Sequence, residues 1–205
     1  MTLLEVCVET AEAAVRAVEA GANRIELCAD LAEDGLTPTA REIRATLEAV
    51  DVPVHVMVRC RSGSFHYEEF ELERMELQVE MARELGAHGI VLGALTGDHE
   101  VDREGVQRLL DRSGGLPVTF HRAFDRVADV RAALDVLLSM RIPRLLTSGG
   151  YPTAWEGRVV LRDLVRQAAG RLIVMAGGGV RQNNVRALVA ETGVVEVHSS
   201  KPLIP

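Results

Sequence analysis

A parallel (β/α)8 TIM barrel is the fold this sequence predicts, and three observations predict it. Eight short β-branched runs alternate with segments of helical period, and the repeat averages about 25 residues. The helix ends also recur in one form: EAGANRIEL and ELGAHGIVL each place a glycine at the helix C-terminus just before a strand.

The strand runs, in order, are LLEVCV (3–8), NRIELC (23–28), PVHVMVR (53–59), GIVLG (89–93), PVTFH (117–121), PRLLTS (143–148), RLIVMA (171–176) and VEVHS (195–199). Between them the helical period predicts helices over roughly 10–20, 39–50, 67–85, 102–112, 128–140, 155–169 and 183–191. Eight strands with seven helices leave the eighth helix missing or incomplete, because HSSKPLIP follows the last strand directly. The outward side chains Val195 and Val197 are therefore expected to need cover, from a partner subunit or from the C-terminus itself. A homodimer or higher homo-oligomer is the expectation that follows.

The 205 residues are 47% hydrophobic and show no shift in composition, which predicts one domain over 1–205. A net charge of -7 argues against nucleic acid or an anionic membrane as partner, since both demand a concentrated excess of Lys and Arg. Glu5 and Glu9 interrupt the only N-terminal apolar run, and no run approaches the ~18 residues that span a bilayer. Cys7, Cys28 and Cys60 are an odd, scattered set in a chain large enough to fold without staples, so reduced thiols in the cytoplasm are expected.

Alternation along a strand separates the face that packs on helices from the face that points at the barrel axis. Leu4, Val6 and Val8 share the helix side, as do Ile25 and Leu27, and Val54, Val56 and Val58. The axis then receives Glu5 and Cys7; Arg24, Glu26 and Cys28; His55, Met57 and Arg59; Thr119 and His121; Glu196 and His198. Charges in such a place cost several kcal/mol each unless paired. The deeper members, Glu5, Arg24, Glu26, His55 and Glu196, thus suit a self-neutralising network, while Cys7, Cys28, Arg59, His121 and His198 fall at the strand C-termini, where barrel active sites are built.

LEVCVET, RIELCADLAEDGLTP, VMVRCRSGSF, IVLGALTGDHEVD, VTFHRAFD, LLTSGG, IVMAGGGV and VEVHSS, in that order and from the first strand to the last, resemble the CutC family of copper homeostasis proteins. The resemblance implies a TIM barrel, a cytoplasmic location and the handling of monovalent copper, with Cys7 and Cys28 as the metal ligands. Relatives usually have proline where this chain has Cys60 and Ala176, and they usually run on further. Cu(I) is soft and accepts two thiolates at low coordination number, so two cysteines on neighbouring strands can suffice, with His121, His198 or Met57 as a third donor. Cys60 lies in a loop between two arginines, which would lower its pKa and suit a third ligand or an oxidation target; a solvent-facing substitution of no consequence is the expectation.

An enzymatic alternative stands beside copper. Gly177, Gly178 and Gly179 after the seventh strand, with Ser148 and Gly149 after the sixth, are an expected anion site, because backbone N–H groups freed by glycines cradle phosphate. Arg59, Arg61 and Arg122 would clamp a second acidic group. His121 would then act as general acid or base with Glu26 or Glu5 as its partner, on a small phosphorylated or carboxylated metabolite.

Overall fold

The computed structural model describes residues 2–201 and 203, so Pro202, Ile204 and Pro205 of the expected C-terminal cover lie outside the described residues. Strands β1 (Leu3–Val8), β2 (Arg24–Leu27), β3 (Val54–Met57), β4 (Gly89–Leu92), β5 (Val118–Phe120), β6 (Arg144–Thr147), β7 (Ile173–Ala176) and β8 (Glu196–Ser199) close into a barrel in sequence order. Every pair is parallel, and β8 returns to β1.

Helices α1 (Ala11–Glu19), α2 (Ala40–Ala49), α3 (Glu69–Glu84), α4 (Arg103–Ser113), α5 (Val130–Ser139), α6 (Arg158–Ala168) and α7 (Val185–Thr192) connect them. Their starts are written locally. Thr10, Asp102 and Asp129 accept N-terminal amides of α1, α4 and α5, and Thr39 with Glu42 makes a reciprocal capping box on α2. Two short 3-10 turns, Leu31–Glu33 and Arg122–Arg126, were not expected from the sequence. They occupy the loops after β2 and β5, where three and five residues hold too little periodicity to read.

The register fixes how the axis is filled. Followed from Leu3 through Glu196, Met175 and Leu146, and on by the offset of each pair, the partners return to the first strand at position 11, a shear of eight. Inward side chains then fall into tiers of four from alternate strands. From the bottom these are Arg24, Gly89, Arg144 and Glu196; Glu5, His55, Thr119 and Met175; Glu26, Val91, Leu146 and His198; and Cys7, Met57, His121 and Gly177.

The outward set, including Val6, Ile25, Val56, Ile90, Phe120 and Leu145, merges with the helices into one apolar core. Cys7, Cys28, Met57 and Val91 form a separate small apolar cluster inside the barrel. The expectation for β8 is half corrected: Val195 is 59% exposed, but Val197 is only 2% exposed because it points into the main core, against which Leu203 also packs.

Strand β4 contributes glycine where its neighbours contribute rings. A Cβ on Gly89 would lie 2.6 Å from the His55 ring, and one on Gly93 would lie 2.6 Å from His121. The missing side chains are therefore the space the two imidazoles occupy. Gly89→Ala is expected to cost about 1–3 kcal/mol, the range for overpacking a core, because His55 is buried and has nowhere to swing. Urea denaturation reads this, and an unchanged midpoint would refute the account.

Candidate functional site

At the bottom of the barrel the expected network exists and is connected. Arg24 donates from Nε to Glu5 Oε2 at 2.5 Å and from Nη2 to Glu196 Oε2 at 2.5 Å. Arg144 holds the same Glu196 with two bonds, 2.7 Å from Nε and 3.2 Å from Nη2. Burial alone would raise both carboxylates, but the guanidiniums outweigh it at Glu196, and His198 with Arg24 outweighs it at Glu5, so both lie below their ordinary range. His55, in the tier of Glu5, is pushed down by burial to about 4 and stays neutral.

The network continues upward into the mouth. Glu5 Oε1 lies 2.8 Å from His198 Nδ1, so the carboxylate joins the buried arginine below to the imidazole above. Around His198, a ring nitrogen, Cys7 Sγ and a Glu26 carboxylate oxygen lie within 4.8 Å of one another, all three residues buried. Cys28 Sγ donates to Glu26 Oε1 at 3.3 Å. The sequence alternation on β8, β1 and β2, three adjacent staves, is what brings these four groups together.

Their charge states follow from burial and from each other. Burial pushes Glu26 and Cys28 up, and for Cys28 the neighbouring Glu26 adds to it. Burial would lower His198, but Glu26 and Cys7 beside it, with the bond to Glu5, raise it well above its ordinary value. Glu26 Oε2 has no hydrogen-bond partner among the described residues.

Across the axis, in the tier of Cys7, stands His121. Its Nδ1 accepts from Ala123 N–H at 3.2 Å, which leaves Nε2 as the protonated nitrogen of the neutral ring, and Nε2 is buried without a partner. Burial, with Arg59 nearby, pushes it down to about 3. The expected pairing of His121 with Glu26 or Glu5 is corrected: Glu5 is bonded to Arg24 and His198, and no hydrogen bond joins Glu26 to His121 among the described residues.

The arginine clamp is also redistributed. Arg59 donates to the carbonyls of Glu33 at 2.6 Å, Gly35 at 3.3 Å and Gly63 at 3.0 Å, and lies over the Phe65 ring at 4.9 Å. It staples the loop after β2 to the loop after β3, and Gly35 of the first of these loops lies against Cys28, where a Cβ would come 3.2 Å from Sγ. Its Nε has no partner, and no carboxylate pairs with it among the described residues. Arg61 is held by Glu71, and Arg122 by Asp125 at 2.7 Å.

The expected anion site after β6 is filled by the chain's own carboxylate. Asp125 accepts from Ser148 N–H at 3.0 Å, Gly150 N–H at 3.0 Å, Thr147 Oγ1 at 2.5 Å and Ser148 Oγ at 2.9 Å, while Gly149 N–H goes to Thr147 Oγ1 at 2.8 Å. Ser148 and Gly149 therefore have no free donor for a ligand, a correction whose cause is the Asp125 of FHRAFD. Gly177 N–H is spent on Thr147 O at 3.0 Å, whereas Gly178 and Gly179 donate to no acceptor among the described residues. Gly179 borders a shallow pocket of about 400 Å³ outside the mouth, with Trp155 and Asn183. Cys60 too departs from the lowered pKa that arginine neighbours would give: burial and Glu71 raise it despite Arg61 and Arg74.

The CutC family model matches residues 2–203. The chain belongs to the CutC family. A human copper homeostasis protein cutC homolog is 44% identical over 198 residues, covering 97% of this chain and 72% of that protein. A solved CutC structure from Streptococcus agalactiae superposes with TM-score 0.94 at 34% identity, covering 98% of this chain and 99% of that one. A structure described as QR15, an aldolase, gives TM-score 0.74 at 12% identity over 96% of this chain and 89% of its own, a likeness of fold alone. Among the described residues, no helix of this CutC chain is long and apolar enough to cross a membrane.

For this CutC barrel, sequence reading located Cys7, Cys28, Glu26, Arg59, His121 and His198 but paired them differently. It missed Asp125, whose signal was a carboxylate closing the FHRAFD motif, and the glycines opposite His55 and His121, whose signal was the alternation in GIVLG.

Proposed function

We propose that the mouth of this barrel holds a monovalent copper ion as cargo, with the Cys7 and Cys28 thiolates as its principal ligands and His198 as a third donor. The convergence of Cys7, His198 and Glu26 within 4.8 Å, with Cys28 bonded to Glu26, is the observation that supports the reading. Sulfur and imidazole are donors that a soft monovalent ion accepts. The unpartnered Glu26 Oε2 fits the same reading, since a buried acceptor left open calls for a ligand or a proton.

Cys28 and His198 both hold protons, so copper uptake expels them. The three free cysteines fit a reducing compartment, and we place the protein in the cytoplasm, as a homo-oligomer. Competition with a Cu(I) chelator under strict reduction tests the site. Cys7→Ser with Cys28→Ser is expected to weaken binding by on the order of 100-fold or more, beyond what loss of an outer-shell partner costs. Equal affinity in wild type and double variant would overturn the assignment.

A further inference from the structure

The geometry points to Cys7, His198 and Glu5 as a thiol–imidazole–carboxylate triad that hydrolyses a small amide or ester bearing a free carboxylate. This goes beyond the copper reading: it uses two of the same side chains but needs no metal.

A covalent site requires a nucleophile within reach of a base, and a third group that fixes the base. Here His198 Nδ1 is 2.8 Å from Glu5 Oε1, and Glu5 is itself fixed by Arg24 at 2.5 Å, so the imidazole has one orientation and one tautomer. Cys7 Sγ lies within 4.8 Å of a His198 ring nitrogen and, as a thiol, donates to Ser199 O at 3.8 Å, in the uppermost tier, on the face of the barrel where strands end.

The class of substrate is set by what is buried and unanswered around that thiol. Arg59 is 4% exposed and its charge meets carbonyls and a ring but no carboxylate among the described residues, with Nε unpaired. His121 Nε2 is a second buried donor without an acceptor, and Phe65 lies against both, its ring 5.0 Å from that of His121. Two unsatisfied donors, one of them cationic, fit a carboxylate oxygen from the substrate. Met57 and Val91 line the small apolar remainder.

In the step, the proton that His198 holds is the one Cys7 has given up, so Sγ bonds to the acyl carbon as the thiolate, and the carbonyl electron pair becomes an oxyanion. The oxyanion collapses, the amine or alcohol departs with the proton from His198, and a thioester remains. Water, deprotonated by His198, then attacks the thioester, releasing the acid and returning the thiolate.

Metal-free, chelator-treated protein is mixed with p-nitrophenyl acetate or with the p-nitrophenyl monoester of succinic acid. Nitrophenolate release and the site of acylation by peptide mass are followed. We expect a burst, acyl on Cys7 in preference to Cys60 although Cys60 is more exposed, and faster reaction with the succinyl probe. Cys60→Ser leaves this unchanged and Cys7→Ser abolishes it. His198→Gln slows it by about 100-fold or more, the range for losing a positioned base. Arg59→Met removes the succinyl preference, read as the ratio of the two probes' rates within that variant.

Acylation of Cys7 no faster than of Cys60, or at an equal rate in a folded His198→Gln protein, overturns the triad. If that variant does not fold, the Cys7-to-Cys60 ratio in the wild type decides. Normal Cu(I) affinity alongside an inert Cys7 sinks this inference and spares the copper reading; a reactive Cys7 with no copper affinity does the reverse.

Discussion

Arg24→Met is expected to destabilise the protein by about 3–5 kcal/mol, the range for removing one partner of a buried ion pair. Arg24 is 3% exposed and, among the described residues, is the only guanidinium on Glu5, while Glu196 keeps Arg144 after the change. The damage therefore concentrates at Glu5, fully buried and left with His198 alone. Urea denaturation at neutral pH measures it. In Arg24→Met with Glu5→Gln the two losses should not add, because the second substitution removes the charge that the first left stranded. A loss under about 1 kcal/mol, or full additivity, would show that the pair contributes little. Apolar side chains filling this tier could be as stable as the ions. What they could not supply is a charged Glu5 aimed at His198, which ties the network below to the chemistry above.

Much of this was legible because a strand has a period of two. LEVCVE and RIELC each separate an apolar face from a Glu-x-Cys face, and parity alone sends Glu5, Cys7, Glu26 and Cys28 to the axis, where the structure has them. Height was legible only through register, which no single strand contains. The shear of eight places His198 beside Cys7 and Glu26 and sets His121 opposite, so the sequence named the imidazoles without showing which one meets the thiol. Loop partners were less legible still. Arg59 reads as a free clamp and Ser148 as a free donor until the loops fold back and spend them on the Glu33 carbonyl and the Asp125 carboxylate, contacts spanning 26 and 23 positions with no periodicity to announce them. The same holds for Gly93, which has meaning only once His121 lies across from it.

Acid should unfold this barrel in two stages, and the sign comes from its imidazoles. His55 and His121 are pushed down by burial, to about 4 and about 3, so between the ordinary histidine value and those values the unfolded chain binds protons that the folded one refuses. Stability therefore falls as pH drops from about 6.5, at up to about 2.7 kcal/mol per pH unit when both contribute fully. Glu26 opposes this: burial raises it, so the folded state takes its proton first and gains from acidification above the ordinary carboxylate range. Glu5 and Glu196, held low, have the opposite sense and lose their contribution only below about 4.5, where the second, steeper stage begins. His198 is raised, so its contribution is complete on the acid side and is lost as pH rises through its folded value. Urea denaturation at steps from pH 7 to pH 4 separates these effects. His121→Gln, which keeps an acceptor for Ala123 N–H, should remove one proton from the first stage and flatten it, leaving the second in place. A wild-type stability that stays level from pH 7 to pH 4.5, unchanged in slope by that substitution, would mean that the imidazoles are hydrated in solution and that the mouth is open to water.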